Sequence, residues 1–320
     1  MRLTEGSAGA RVLAFGGYQP ANVVTNDDLA ATVDTNDEWI RSRVGIASRR
    51  IAGPDETVAD MAVAAGGKAL AASGLSPGDI DLVIVATCTP EVQIPNTAAT
   101  VARRLGIAAP GAYDMNAACA GFCYAMANAA DAVRAGSAGN VLVIGSEKLS
   151  QWIDWTDRST CIIFADGAGA AVVGPADAAE AGIGPVVWGS AGDMADKIYI
   201  PDRDSFIIQE GQAVFRWATT ALHPVAKQAC ARAGVDPTEL AAFVPHQANL
   251  RIVEAIARKI GAPQALVADD IVTAGNTSSA SIPLALSRML ERGELPSGAP
   301  VLLLGFGAGI CYAGQVITVP

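Results

Sequence analysis

The sequence predicts an α/β protein built from two pseudo-twofold related halves in a layered α/β/α/β/α arrangement. Three observations carry that prediction. Hydrophobic residues make up 51% of the 320-residue chain and charged residues only 17%, a balance that calls for a large buried core. Aromatic residues stand at just 5% while glycines number 33, which suits helices packed closely on strands covered on both faces. The third observation is a duplication, and it orders the elements.

The first copy begins with "AASGLSPGDIDLVIVATCTP", from Ala71 to Pro90: a helix end, a glycine stop, a proline turn and an apolar strand. The second copy, "ARAGVDPTELAAFVPHQANL" from Ala231 to Leu250, repeats that order. A helix with a basic end comes next in each, "VARRLGIAAP" matching "IARKIGAPQA". A turn then leads into a second helix, and each copy closes on a strand: "RAGSAGNVLVIG" answers "RGELPSGAPVLLLG", so that Val141 corresponds to Val301 and Gly145 to Gly305. Apolar strands alternating with helices predict mostly parallel sheets covered on both faces. The first half runs to about Gly174, ending in "CIIFADGAGAAVVG", and the second starts near Ile183 across the linker-like "PADAAEAGIG". We therefore divide the chain at 1–176, which carries a candidate nucleophile, and 177–320, which carries its candidate partners. The segment "SAGDMADKIYIPDRDSFIIQEG" interrupts the repeat and reads as a loop or lid.

A net charge of −10 excludes a general binder of nucleic acid or anionic membranes, which needs Lys and Arg in excess. The opening "MRLTEGSAGARVLAFGG" has no signal-peptide core, and no apolar run reaches the roughly 18 residues of a membrane span. The expectation is a soluble cytoplasmic protein. Cys88, Cys119, Cys123, Cys161, Cys230 and Cys311 lie scattered in apolar stretches without disulfide-framework spacing, so they are expected reduced. Cys119 and Cys123 are four apart with no histidine ligand motif beside them, and no metal site is expected.

The duplication also locates the chemistry. In "DMNAACAGFCYA" a strand-to-helix turn delivers Cys119, set among small residues that let backbone and substrate approach. In the second half the strand "AAFVP" ends at His246 and the matching turn is "TAGNTSSAS", with Asn276. Packing about a pseudo-twofold axis would bring Cys119, His246 and Asn276 together. A thiol at a helix N-terminus has its pKa lowered from about 8.5 toward roughly 3.5–7.5, so a thiolate is expected at Cys119. His with Asn, rather than with Asp, can present two N–H donors to one oxygen, as a developing enolate requires. "GFGAG", from Gly305 to Gly309, is too short for a dinucleotide loop; with Gly307 and Ala308 it suits a second oxyanion hole, completed by the Cys119 amide. His223, in a helical stretch just before Pro224, reads as a surface or packing residue.

"DTNDEWIRSRVGI", "DMNAACAGF", "PHQANLRI", "GNTSSASIP" and "GFGAG", in that order and spacing, resemble β-ketoacyl-acyl carrier protein synthase III of the thiolase superfamily. The resemblance covers nearly the whole chain and implies a thiolase-like fold, a homodimer and a decarboxylative Claisen condensation. It implies that Cys119 takes an acyl group from acyl-coenzyme A, and that His246 and Asn276 hold the enolate formed when malonyl-acyl carrier protein loses carbon dioxide. No metal or redox cofactor is implied, coenzyme A thioester being a substrate. By the same resemblance Trp39 and Arg158 sandwich the adenine ring, and Arg43, Asn249 and Arg251 contact or support the rest of coenzyme A. Arg251, Arg258 and Lys259, on one helix, would dock the acidic carrier protein. Ile94, contributed across the dimer, and Phe306 would bound the acyl pocket. Ile94 replaces a bulky aromatic of some family members, Val44 replaces a polar residue, and the loop at 194–205 is shorter than usual. Initiation of fatty acid synthesis is the first reading. Priming of a polyketide pathway and a same-fold acyltransferase acting on an alcohol or amine are the alternatives; a Cys–His hydrolase and a non-catalytic binding module fit the residues less well.

Overall fold

The fold is a computed structural model that describes residues 6–320. The stretch read above for a signal segment begins in residues 1–5, outside the described part.

Each copy of the repeat folds as its punctuation dictates. The helix Val58–Ser73 ends at Gly74 (φ 74°), and the helix Gly211–Ala233 ends at Gly234 (φ 69°). Both glycines adopt the left-handed conformation that only glycine enters without strain. A single 3-10 turn follows in each case, Pro77–Asp79 and Pro237–Glu239, closed by reciprocal capping between Ser76 and Asp79 and between Asp236 and Glu239. The chain then enters the apolar strands Leu82–Ala86 and Ala242–Pro245. The helix Gly211–Ala233 continues through Pro224.

Two five-stranded sheets result, with one topology. The first has the order Gly9–Tyr18, Asp166–Ala176, Val141–Lys148, Leu82–Ala86, Gly111–Met115. The second has Val187–Ser190, Cys311–Thr318, Pro300–Gly307, Ala242–Pro245, Leu266–Val267. Val141 pairs with Leu82 as Val301 pairs with Ala242, which places the two repeats in the same register. The expectation of mostly parallel strands is corrected: in each sheet two pairings are parallel and two antiparallel. Cys311–Thr318 follows Pro300–Gly307 after a short 3-10 turn, and the segment from Leu149 to Ala165 that precedes Asp166–Ala176 holds a 3-10 turn but no α-helix, so neither has the α-helical crossover typical of a parallel pairing.

The layers follow from which faces are apolar. Helices Gly121–Arg134 and Ser281–Glu291 form the central layer, where Phe122, Met126, Ile282 and Leu286 pack against Val141 and Val143 of one sheet and Val244 and Leu303 of the other. Helices Val58–Ser73 and Thr97–Arg104 cover the first sheet outside, and Gly211–Ala233 and Leu250–Ile260 cover the second.

Two additions sit over the strand ends. One packs Ile40, Val44 and Ile46 onto Leu149, Ile162, Phe164 and Ile271, and is pinned by the fully buried Arg49, whose Nη2 donates to Asn26 Oδ1 at 2.9 Å and to the Ile162 carbonyl at 3.0 Å. The other is the segment that interrupts the repeat: a short turn, Gly192–Lys197, then a hairpin of Ile198–Tyr199 with Ile208–Gln209. Its end is tied down where the Ile207 amide donates to the Trp152 carbonyl at 2.9 Å. Among the described residues no helix is long and apolar enough to cross a membrane.

Candidate active site

The central helices each begin with the same bent entry. Ala118 (φ 46°) and Ser278 (φ 51°) are two of only three non-glycine residues with positive φ among those described. Each opens a one-turn 3-10 segment, Ala118–Ala120 and Ser278–Ala280, that runs straight into its helix. Such strained entries hold the following residue at a sharp elbow. Cys119 stands on the first elbow, and Ser279 on the second.

Glycines let these elbows cross between halves. A Cβ on Gly145 would lie 2.4 Å from the Ser279 carbonyl oxygen, and one on Gly307 would lie 2.6 Å from the Cys119 amide nitrogen. The middle strand of each sheet therefore approaches the opposite half's elbow more closely than any side chain permits. This interlock brings Cys119, His246 and Asn276 to the wall of one cavity of about 1170 Å³.

His246 is aimed by its surroundings. Its amide donates to the Leu304 carbonyl at 2.8 Å, and its ring packs edge-on to Phe306, with centroids 5.2 Å apart. Nδ1 lies 2.7 Å from Ser281 Oγ, which also accepts the Gln247 amide at 3.3 Å. Either atom of this pair can donate; with Ser281 donating to Nδ1, Nε2 carries the proton and donates. Burial lowers the His246 pKa to about 3 and keeps the ring neutral. Gln247 braces this loop: Nε2 donates to the Pro245 carbonyl at 2.8 Å, and Oε1 accepts the Ile271 amide at 3.1 Å.

Asn276 is held between the halves. Its amide donates to the Ile163 carbonyl at 3.0 Å, and its carbonyl accepts the Ala165 amide at 2.9 Å. Oδ1 accepts the Ser278 amide at 2.9 Å, which leaves the Nδ2 donor for the cavity that Asn276 lines. His246 and Asn276 thus each bring one side-chain N–H to the same space, an arrangement suited to an anionic oxygen.

Cys119 corrects one expectation. The amides of Cys119 and Ala308 and the Ser278 hydroxyl all favour the thiolate, as a helix entry should, yet burial outweighs them and pushes the thiol up to about 12, with the nearby Glu147 charge adding to the rise. Gly307 serves here through its missing Cβ, while the Cys119 and Ala308 amides face the sulfur. Cys123 is fully buried on the same helix.

On the cavity wall Trp39 carries two guanidinium groups, Arg158 at 4.7 Å and Arg43 at 5.6 Å from its ring centroid. Trp39 and Arg43 line the cavity, while Arg158 meets it through Trp39 and donates to the Asp34 carbonyl at 2.7 Å. Asn249 caps the helix Leu250–Ile260 through the Arg251 amide at 2.9 Å and reaches the Arg43 carbonyl at 3.2 Å, joining two walls. Arg251 lies over Phe215 at 5.3 Å. Arg258 and Lys259 are exposed on that helix but engaged, Arg258 with Glu254 at 3.6 Å and Lys259 with the Thr219 carbonyl at 2.7 Å. Phe306 lines the cavity; Ile94 does not, and at 85% exposure it stands clear of it within this chain. His223 is remote from the cavity wall.

Sequence reasoning missed Arg203, Arg216, Cys88 and Ser278 on this wall. Arg203, exposed in the interrupting segment, reaches the cavity wall only through the fold of that segment. Ser278 was legible in principle, since it answers Ala118 in the repeat.

Two family models match the chain: 3-oxoacyl-[acyl-carrier-protein] synthase III over residues 113–192, and the C-terminal region of 3-oxoacyl-[acyl-carrier-protein] synthase III over residues 230–319. A Streptomyces coelicolor protein named β-ketoacyl-[acyl-carrier-protein] synthase III 4 is 58% identical over 313 residues, 98% of this chain and 99% of that one. A mycobacterial β-ketoacyl-[acyl-carrier-protein] synthase III from Mycobacterium avium is 48% identical, over 99% of this chain and 98% of that one. Among solved structures, the priming β-ketosynthase of a polyketide biosynthetic pathway superposes with a TM-score of 0.96 at 43% identity, covering 100% of this chain and 98% of that one. The 3-oxoacyl-[acyl-carrier-protein] synthase III of Aquifex aeolicus gives a TM-score of 0.92 at 40% identity, over 97% and 100%.

Proposed function

This chain belongs to the 3-oxoacyl-[acyl-carrier-protein] synthase III family of condensing acyltransferases, and from that premise we propose that Cys119, His246 and Asn276 carry its two half-reactions. The convergence of these three residues on one cavity is the observation that supports the reading. Cys119 Sγ attacks the thioester carbonyl of acyl-coenzyme A, with the oxyanion facing the Cys119 and Ala308 amides beside Gly307. Coenzyme A leaves, and malonyl-acyl carrier protein enters. Its thioester oxygen accepts from His246 Nε2 and Asn276 Nδ2, which favours loss of carbon dioxide because the enolate charge grows on that oxygen. The carbanion attacks the acyl-cysteine and releases a β-ketoacyl carrier protein. A neutral His246 suits this step, since it polarises without protonating the carbanion.

Coenzyme A is assigned to the Trp39 end of the cavity, with Arg43, Asn249 and Arg251 along the way. Arg158 rests directly on Trp39, so an adenine ring would enter by lifting it. Carrier-protein docking falls to Arg251, Arg258 and Lys259. We assign the acyl pocket to Phe306 and, in a homodimer, to Ile94 of the second copy. We place the enzyme in the cytoplasm, in keeping with six free cysteines, and assign it no metal or redox cofactor. Fatty acid initiation is the favoured role; the likeness to a polyketide priming ketosynthase favours the second.

Intact-protein mass after incubation with a panel of acyl-coenzyme A thioesters tests the proposal. The expected result is one acyl adduct, absent in Cys119→Ala, that disappears as malonyl-acyl carrier protein becomes β-ketoacyl carrier protein. An adduct indifferent to malonyl-acyl carrier protein but discharged by an alcohol or amine would overturn it in favour of plain acyl transfer.

A further inference from the structure

Self-acylation of Cys119 requires its proton to leave, and the obvious base is poorly placed to take it. His246 has Nδ1 engaged with Ser281, and when Ser281 donates there the ring's own proton is on Nε2. A second titratable group acts on the same sulfur. Glu147, in the strand Val141–Lys148, is completely buried. Its Oε2 accepts from Thr89 Oγ1 at 2.7 Å, the Cys88 amide at 3.0 Å and Thr87 Oγ1 at 3.1 Å. Its Oε1 lies 2.8 Å from Ser279 Oγ and 3.0 Å from Ser278 Oγ. Ser278 shares the cavity wall with Cys119 and favours its thiolate. Ser278 Oγ therefore joins Glu147 Oε1 to the cavity wall that carries Cys119.

The carboxyl group is built to exist in two protonation states. Ser279 Oγ has one hydrogen and two oxygens within reach, Glu147 Oε1 and the Ala86 carbonyl, each at 2.8 Å. The carbonyl can only accept. When Ser279 donates to Glu147 the carboxylate is satisfied; when Ser279 turns to Ala86, a proton on Oε1 is satisfied by Ser279. Among the described residues no ion pair holds Glu147 in its charged form, and Lys148 turns its ammonium group to the Gly53, Pro54 and Glu56 carbonyls. The titratable groups facing Glu147 are Cys88, with Sγ at 3.5 Å, and Cys119. Burial raises the Cys88 thiol well above its ordinary value, so it stays protonated. Burial also lifts Glu147 above the usual carboxylate range, nearer the pH at which a proton acceptor is effective.

We propose that Glu147, acting through the Ser278 hydroxyl, takes up the Cys119 proton during self-acylation and returns it to the departing coenzyme A sulfur. The inference rests on the acyl-cysteine reading above. As Cys119 Sγ bonds to the thioester carbon, its proton passes to Ser278 Oγ while the Ser278 proton passes to Glu147 Oε1. The tetrahedral intermediate then collapses, the carbon–sulfur bond to coenzyme A breaks with its electron pair on that sulfur, and the proton returns along the same path. Thiol and thioester are exchanged with no net change in protons. Glu147 and Ser278 are thus positioning residues for proton movement, distinct from the groups that hold the oxyanions.

The test is the pH profile of Cys119 acylation in single turnovers followed by intact mass, with iodoacetamide alkylation of Cys119 as a substrate-independent readout. Ser278→Ala interrupts the path and leaves the carboxyl group with its other partners; Glu147→Gln removes the proton acceptor with little change of shape. Both variants should acylate roughly 100-fold more slowly near neutral pH. Their rates should climb tenfold per pH unit where the parent enzyme has levelled off, because hydroxide must replace the internal acceptor. A uniformly lower rate with the parent's profile, or an unchanged rate, would overturn the relay. If Glu147→Gln does not fold, Ser278→Ala decides alone. If the parent takes no acyl group at all, the functional reading fails, while alkylation still reports on the relay.

Discussion

At His246 a single proton links the site to stability. Its native pKa of about 3 lies well below the ordinary value of 6.5. Between those values the unfolded chain binds a proton that the native protein refuses, so this residue's contribution to stability falls as pH drops through that window. Stability measured by denaturant at pH 4, 5 and 6 should therefore rise with pH more steeply in the parent than in His246→Gln. The difference should approach one proton, about 1.4 kcal/mol per pH unit; equal slopes would show that His246 titrates normally. Buried carboxyls such as Glu147, Asp166 and Asp270 have raised values and act in the opposite sense, which is why the comparison with the variant is needed. Cys119 shows the limit of reading one residue from its local motif. A helix entry and two amides argue for a thiolate, but burial is set by what lies across the cavity, and it wins.

Among the elements, the two elbows and the two middle strands form the functional unit. Gly145 and Gly305 stand at matching positions, and each lies under the elbow of the other half: a Cβ there would meet the Ser279 carbonyl oxygen at 2.4 Å and the Ala120 Cα at 3.0 Å, respectively. Gly145→Ala should cost about 1–3 kcal/mol, the usual penalty of overpacking where backbone cannot retreat. Thermal denaturation should show a lowered midpoint, and the displaced Ser279 and Ser278 should slow acylation as well. A variant with parent stability would mean that the interlock is loose. Helices, glycine stops and the 3-10 turns were readable because each depends on neighbours a few residues apart. The antiparallel strands were not, because the repeat pattern marks apolar segments without giving their direction.

Taken whole, the molecule shares one central core. Phe122 and Met126 from the first half and Ile282 and Leu286 from the second lie in one cluster with strands of both sheets. Neither half can bury its inner sheet face without the other, so unfolding should be a single cooperative transition. Calorimetric and van't Hoff enthalpies should agree, and residues 1–176 expressed alone should lack the near-ultraviolet circular dichroism of a packed core. Two resolved transitions, or a folded fragment, would contradict this.

The sequence by itself determined the duplication, the helix and strand order, and the candidate trio, since these depend on local punctuation and on residue chemistry repeated at half the chain length. Cys119, His246 and Asn276 could be paired in advance because the repeat names equivalent turns, and an internal symmetry axis is a strong constraint on where they meet. Only the tertiary structure decided that His246 Nδ1 meets Ser281, that Asn276 Oδ1 is taken up by the Ser278 amide, and that Ser278 reaches the buried Glu147. Ser278 and Glu147 lie 131 residues apart in the chain and meet only when both halves close on the central layer.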